Sequence, residues 1–353
     1  CYGNHVQVTI TDLLRDHLPS PLSRLPDTYP FLANDAPWLW EKLWHADMRH
    51  ARPLIAMAGR ASLPAVRRAL ATYAPDLVVS VHPLAQRMVT PALARMSSPA
   101  LLATVVTDLT SAHPFWFHPM VWRCYIASEE SRQRAQACGL RREQLRHFGL
   151  PIRPEFAQSV ANRSIIRARL GLPPKLPLAL LAGGGDGIGP LAQIAQAVSD
   201  ALATGEEMRG QVVVICGRNH RLAQTLRAMR WPGPVRILDF VDNMAEWMQA
   251  ADCLVTKAGP GTIAEAMACG VPVVTTDVGE VRRLVVPGKN GEICLSNDAV
   301  ELADSIARGL DRKDEYAGTP CIEAASPYTP QRVLGPVYDN YRELAALGKG
   351  IGQ

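Results

Sequence analysis

The chain has 353 residues, 48% hydrophobic and 20% charged. That composition is globular, excludes a disordered or collagen-like chain, and at about 150 residues per domain suggests two domains. The formal net charge of +4 is too modest to announce a nucleic-acid binder, and no apolar run approaches the roughly 18 residues of a membrane-spanning helix.

In chain order, strand-length apolar runs are predicted at residues 6–10, 77–81, 103–106, 124–127 and 145–148. A second series follows at 178–181, 212–216, 235–238, 253–256, 271–275 and 292–294. Amphipathic helices are expected between them, at 191–203, 222–229, 244–250, 262–268 and 298–310. Short buried strands alternating with helices indicate an α/β fold with parallel sheets. The two series are separated by a stretch holding Pro151, Pro154, Pro173, Pro174 and Pro177. We therefore expect two Rossmann-like domains facing one another across a cleft, with domains at 1–155 and 156–325 and a C-terminal helix and tail at 326–353. Charge is uneven: residues 1–158 hold 17 Lys+Arg against 12 Asp+Glu, and eight of the nine histidines. A basic half suits anionic headgroups, each basic residue near such a surface contributing about 1 kcal/mol. The eight cysteines are scattered without a CxxC pair, which reads as reduced thiols of an intracellular protein rather than a disulfide framework or zinc site. No signal peptide is recognised.

Three strand-to-helix turns in the second series carry chemistry. Gly183-Gly184-Gly185-Asp186-Gly187-Ile188-Gly189-Pro190 follows the run at 178–181. Glycines let backbone approach a ligand, and the next helix N-terminus suits phosphate. This stretch fits neither GxGxxG nor the P-loop. The second turn, Gly259-Pro260-Gly261-Thr262, would offer backbone N–H groups and a hydroxyl to a diphosphate. Glu265 is placed on the first helical turn, where it either complements the helix dipole or accepts from ribose hydroxyls. The third turn holds Arg218, suited to phosphate, and Asn219, suited to capping the next helix. Loops at adjacent strand ends mark the ligand edge of an α/β sheet.

Pro37 through Trp44 holds three of the seven tryptophans, Trp38, Trp40 and Trp44, and Arg49, Arg52, Arg60, Arg67 and Arg68 follow. Tryptophans beside basic residues read either as an interfacial helix on an anionic bilayer or as a core-packing helix. Trp116 and Phe117 read either as acyl-chain contacts or as core. Asp108, His113 and His82 follow strand runs, where each would serve the acceptor or be a satisfied structural residue.

These residues resemble glycosyltransferase family 28, and within it the monogalactosyldiacylglycerol synthases and related diacylglycerol glycosyltransferases. The likeness rests on Ser80-Val81-His82-Pro83-Leu84, on Thr104 through Leu109, on His113 through Pro119, on Ala127-Ser128-Glu129-Glu130 and on Phe148 through Pro154. It continues in the Gly183 turn, in Cys216-Gly217-Arg218-Asn219 and in Thr256 through Thr262. It covers roughly residues 1–275. The resemblance implies the GT-B fold and inverting transfer of a hexose, galactose or glucose, from a UDP-sugar to diacylglycerol at an anionic membrane surface. The implied location is peripheral, on the cytoplasmic face. The donor site it implies comprises Gly184, Gly185, Gly187, Arg218, Phe240, Val241, Gly259, Pro260, Gly261, Thr262 and Glu265; Glu280, in a segment that departs from the family, reads either as a further donor contact or as a surface-loop residue. Asp108 and His113 are the implied catalytic pair, with Trp38, Trp40, Trp44, His82, Trp116 and Phe117 toward acceptor or membrane. No metal, cofactor or nucleic acid is expected.

Two departures matter. The family opens with a strand and a Gly-rich loop ending in the histidine expected as base, and Cys1-Tyr2-Gly3-Asn4-His5 has no counterpart to it. The chain is thus expected to be N-terminally incomplete and inactive as written. The family's Pro-Gly-Gln-Glu-x-Gly-Asn segment is replaced by Asp277-Val278-Gly279-Glu280-Val281-Arg282-Arg283, which leaves galactose and glucose both open. The alternatives are a soluble, epimerase-like UDP-sugar enzyme of the same fold and an inactive UDP-sugar- or lipid-binding remnant.

Overall fold

The structure is a computed structural model. It describes residues 7–18, 20, 22–28, 36, 38, 48–96, 100–108, 112–158, 162–187, 189–203, 208–256, 259–277, 281–295 and 299–350. The chain divides into two compact units, one of Cys1–Gly149 with Pro336–Gln353, the other of Leu150–Gly335.

In the first unit, helix α1 (Leu13–His17) begins where the Asp12 side chain accepts from the Leu14 and Arg15 amides. Helix α2 (Met48–Tyr73) buries Ser62, Val66, Ala69 and Leu70, a helical spacing, and leaves Arg60, Arg67 and Arg68 exposed. Then follow β1 (Leu77–Ser80), α3 (Ala85–Leu93), β2 (Leu101–Val105), β3 (Arg123–Ile126), α4 (Glu129–Ala137) and β4 (Leu145–His147). The four strands pair in parallel in the order β1-β2-β3-β4. Alternation along β3 sends Cys124 and Ile126 into one core with Val66, Leu70 and Val89, and Tyr125 to the other face. There Val337 and Tyr341, from the last helix, pack against it.

The second unit contains α5 (Arg163–Arg169), β5 (Leu178–Ala182), α6 (Leu191–Leu202), β6 (Gln211–Ile215), α7 (His220–Ala228), β7 (Val235–Leu238) and α8 (Met244–Ala250). It continues through β8 (Cys253–Thr256), α9 (Pro260–Ala268), β9 (Val273–Thr276), β10 (Gly291–Cys294), α10 (Ala299–Asp311), α11 (Lys313–Tyr316) and α12 (Thr319–Ala325). Helix α13 (Pro330–Gly350) runs on past the unit boundary. The sheet is parallel, in the order β10-β9-β8-β5-β6-β7. Every residue of β5 is buried: Leu178, Leu180 and Ala182 enter one core, Ala179 and Leu181 the other. Such doubly covered strands read in the sequence as continuous apolar runs.

Two expectations change. Residues 7–10 are not a strand: Val8 and Ile10 are exposed and pair with no described neighbour, so their alternating pattern has no sheet face to bury. The chain crosses between units at 149–150 and returns at 335–336, rather than at 155 and 325. The physical reason is local: the Ile152 amide donates to the Tyr328 carbonyl and Phe156 is buried in the second unit's core, while Tyr341 meets Tyr125 of the first edge to face. The described part of the proline-rich stretch that separates the two strand series carries helix α5. Arg167 of α5, buried, bonds the carbonyls of Pro174, Leu176 and Ala250 and pairs with buried Asp252 at 2.5 Å.

Candidate functional site

In the second sheet β5 has β6 on one side and β8 on the other, so the chain's path reverses beside β5. Loops at the carboxyl ends of parallel strands at such a switch point form the ligand crevice of open α/β sheets. The Gly183–Pro190 turn stands there. Its backbone interlocks with the next loop: a Cβ on Gly187 would lie 2.1 Å from the Cys216 carbonyl oxygen, and one on Gly217 2.4 Å from that of Gly185. Both glycines have positive φ, +57° and +59°, so side chains are excluded twice over. The Arg218 amide donates to the Gly185 carbonyl at 2.9 Å. Asn219 caps α7 as expected, its Oδ1 accepting from the Leu222 amide, and its Nδ2 reaches the Gly187 carbonyl.

Arg218 is held on two sides. Its Nε donates to Asp186 at 2.9 Å and its guanidinium lies 5.3 Å over the ring of Phe240, which is 54% exposed just beyond β7. Asp186 is its hydrogen-bonded acceptor among the described residues, which leaves the Nη edge of the fork toward the loop glycines. Val241 is half-buried beside Phe240. On the other side of β5, Thr256 ties β8 to β5 by donating to the Ala182 carbonyl at 2.6 Å. After Gly259, α9 opens with Pro260 in its first turn, a position that suits proline's fixed φ. Gly259 offers no side-chain cap, so the first amides of α9, from Gly261 and Thr262 onward, have no acceptor within the helix. A Cβ on Gly259 or Gly261 would meet nothing within 4 Å.

Because proline starts α9 two residues before the expected 262, Glu265 falls in the second turn rather than the first. It is half-buried, with Oε1 3.6 Å from Arg153 Nε. Burial raises its pKa above the ordinary carboxylate value and the Arg153 charge opposes that rise. Arg153, in turn, stacks 4.8 Å over Phe156. Sequence reasoning missed Asp186 and Arg153 as partners of Arg218 and Glu265. A single acid in a glycine run and an arginine a hundred residues away carry no local pattern. Glu280 lies outside the described residues.

In the first unit, the loops after β1 and β2 are bound together. Gln86 Nε2 donates to the Trp116 carbonyl at 2.7 Å and the Trp116 indole donates to Asp108 Oδ2 at 2.7 Å. Trp116 and Phe117 are 2% and 1% exposed within the core, which corrects their assignment to acyl chains or membrane: the Pro114–Trp116 turn drives both rings under the sheet. Asp108 and His113 are half-buried at the end of β2, and His82 is exposed after β1. Trp38 is exposed, while Trp40 and Trp44 lie outside the described residues. The side chains of Arg49 and Arg52 do so too. No described helix is long and apolar enough to cross a membrane.

Residues 1–152 match the family model "Monogalactosyldiacylglycerol (MGDG) synthase", and residues 188–312 match "Glycosyl transferases group 1". Monogalactosyldiacylglycerol synthase, chloroplastic, from Spinacia oleracea is 42% identical over 282 residues, covering 78% of this chain and 54% of that protein. Probable monogalactosyldiacylglycerol synthase 3, chloroplastic, from Oryza sativa subsp. japonica is 39% identical over 367 residues, covering 99% of this chain and 71% of that protein. The chain thus spans about half the length of the spinach and soybean relatives it matches, and more of the rice one. Among solved structures, sucrose-phosphate synthase from Thermosynechococcus elongatus superposes with a TM-score of 0.62 at 18% identity, covering 84% of this chain and 80% of that one. Anabaena Alr3699/HepE in complex with UDP and glucose gives 0.57 at 18% identity, covering 79% and 81%. These likenesses establish the two-domain, parallel-sheet GT-B architecture. Sequence identity sustained at about two residues in five across nearly the whole chain goes further, and by it the chain belongs to the monogalactosyldiacylglycerol synthase family.

Proposed function

We propose that this chain is an inverting hexosyltransferase that moves galactose from UDP-galactose to the free hydroxyl of diacylglycerol. One observation carries the reading: Gly-lined turns at the ends of β5, β6 and β8, with Arg218 and the open first turn of α9, cluster at one sheet edge. Galactose, rather than glucose, follows the names of the relatives. In this reading the backbone N–H groups of Gly259, Gly261 and Thr262 at the start of α9, with Pro260 setting the turn without a donor of its own, and the Arg218 guanidinium receive the diphosphate. Gly184, Gly185 and Gly187 give it room, Phe240 and Val241 border the base, and Glu265 accepts from the ribose hydroxyls. The acceptor oxygen attacks the anomeric carbon as the bond to the diphosphate breaks, and the charge leaving with UDP is met by dipoles already in place. Preorganised stabilisation of that kind contributes several kcal/mol. Asp108 and His113 are the candidates for proton chemistry on the acceptor.

Transfer of labelled galactose from UDP-galactose to diacylglycerol in mixed micelles, by the chain with and without the family's N-terminal strand, Gly-rich loop and helix restored, tests the reading, and absence of a glycolipid product from both folded forms refutes it. Glu265→Ala is expected to weaken UDP binding by about tenfold in calorimetry, the loss of hydrogen bonds to a partly buried carboxylate. Unchanged affinity removes Glu265 from the site.

The same reading has the enzyme working peripherally on an anionic membrane surface, on its cytoplasmic face. Arg60, Arg67 and Arg68 on the exposed side of α2, and exposed Trp38, support it. The word chloroplastic in the relatives' names describes those proteins. Co-sedimentation with vesicles should rise with their anionic lipid content and fall with salt. Binding indifferent to both would refute the electrostatic part.

A further inference from the structure

In the first unit a line of polar groups joins the end of β1 to the end of β2. The Ser80 hydroxyl, shared with the His82 carbonyl at 3.1 Å, lies 3.3 Å from Gln86 Oε1. Gln86 Nε2 donates to the Trp116 carbonyl at 2.7 Å, and the Trp116 indole donates to Asp108 Oδ2 at 2.7 Å. Chemistry fixes the sense of the line. A carbonyl only accepts, so Gln86 turns its nitrogen to Trp116 and its oxygen to the hydroxyl; an indole N–H only donates, so it meets the carboxylate as a donor. Ser80, Gln86 and Trp116 are buried, while Asp108 is half-buried. The loop carrying Trp116 is pinned at other points too. Arg134 Nη1 donates to the Ala112 carbonyl at 3.2 Å, and Phe117 is buried in the core beside Trp116. The indole is therefore the fixed partner, and the Asp108 carboxylate is the one that conforms.

That bond engages one oxygen of the carboxylate. Among the described residues no group bonds the other, Oδ1. Asp108 stands just past the carboxyl end of β2, the end of a parallel sheet at which ligands are received. His113, the other candidate at this edge, is committed differently. Its Nδ1 accepts from the Phe115 amide at 3.2 Å. A backbone N–H only donates, so the neutral ring carries its proton on Nε2 and has no lone pair left to take another.

We propose that Trp116 is a positioning residue that fixes Asp108 through Oδ2, and that Oδ1 is the atom that accepts the hydrogen bond of the acceptor lipid's free hydroxyl. The inference rests on the transferase reading above and names the residue that handles the acceptor's proton. In the transfer the hydroxyl O–H bond breaks and its proton passes to Oδ1, while the oxygen bonds to the anomeric carbon. The bond from that carbon to the diphosphate oxygen breaks, and its electron pair leaves with UDP. A carboxylate already held by one oxygen need not be ordered when the alcohol arrives, which is the advantage of fixing a reacting group beforehand.

The test begins with spectra of the full chain carrying 15N-labelled tryptophan. Asp108→Asn keeps an acceptor for the indole but removes the charge, so one indole N–H signal should move upfield, and that signal is Trp116. In the native chain dioctanoylglycerol should move the same signal upfield, because a hydroxyl bonded to Oδ1 draws charge from Oδ2. Its 3-O-methyl ether, which lacks the free hydroxyl, should not. Equal responses to the two lipids, or none to dioctanoylglycerol, overturn the site. This titration needs no variant of Trp116, so it decides even where Trp116→Phe does not fold. Kinetics then separate positioning from packing. In the form that transfers galactose, Trp116→Phe should lower kcat about tenfold with KM for UDP-galactose unchanged, the mark of a misplaced reacting group. In an Asp108→Asn background the same change should cost less than about twofold, since Trp116 acts through the carboxylate it holds. Full additivity of the two substitutions overturns the positioning role. If the indole responds as expected and neither form transfers galactose, the transferase reading fails and the hydroxyl site stands.

Discussion

Asp252→Ala should remove about 3–5 kcal/mol of stability, read as a fall in the denaturant midpoint of the second unit's transition. Asp252 is 4% exposed, and three donors converge on its carboxylate: Arg167 at 2.5 Å, Arg163 at 3.0 Å and the Leu178 amide at 2.7 Å. Alanine leaves the Arg167 guanidinium, also 4% exposed, with three carbonyl contacts but no counter-charge. An uncompensated buried charge is the costly outcome, more so than the loss of the pair. Arg167→Met combined with Asp252→Asn keeps an acceptor for the Leu178 amide and buries no charge. That double variant should be markedly more stable than Asp252→Ala alone. Equal losses in the two would mean that the bonds, not the charge, set the cost. The pair matters to the site because Leu178 begins β5, the strand whose far end carries the glycine turn.

That pair also marks where reading from sequence stops. The inner strands of the second unit were legible because they are covered on both faces, as β8 is at 253–256; the edge strand β7 coincides with the run at 235–238 although it is only partly buried and exposes Arg236. The glycine turns were legible because φ near +57° and a carbonyl 2.1 Å from a would-be Cβ leave no other residue at Gly187. What failed depends on distant partners. Residues 6–10 alternate like a strand, but alternation says nothing about whether a neighbouring edge exists. Trp116 and Phe117 sit in a loop sequence that suits a membrane contact, yet tertiary packing buries both. Asp186 and Arg153 became visible only once folding brought Arg218 and Glu265 to them.

Gly261→Ala should leave folding intact and cost at least about tenfold in UDP affinity, because the two demands on this position separate. Nothing in the fold needs a glycine there: its φ is not positive, and an added Cβ would touch nothing within 4 Å. In a helix, alanine is preferred over glycine by as much as about 1 kcal/mol, so thermal stability should hold or rise. What glycine does supply is close access to the first-turn amides of α9, where a diphosphate would be cradled. A methyl group directed into that space should push the phosphate outward and weaken the short, charge-assisted bonds. Gly217→Ala is the contrasting case. At φ +59° and with the Gly185 carbonyl 2.4 Å from the new Cβ, it must displace backbone and should lose loop stability and binding together. Calorimetry with UDP beside thermal melts of both variants resolves the question. Full UDP affinity in a well-folded Gly261→Ala protein would move the diphosphate away from α9, and with it the donor site proposed at this sheet edge.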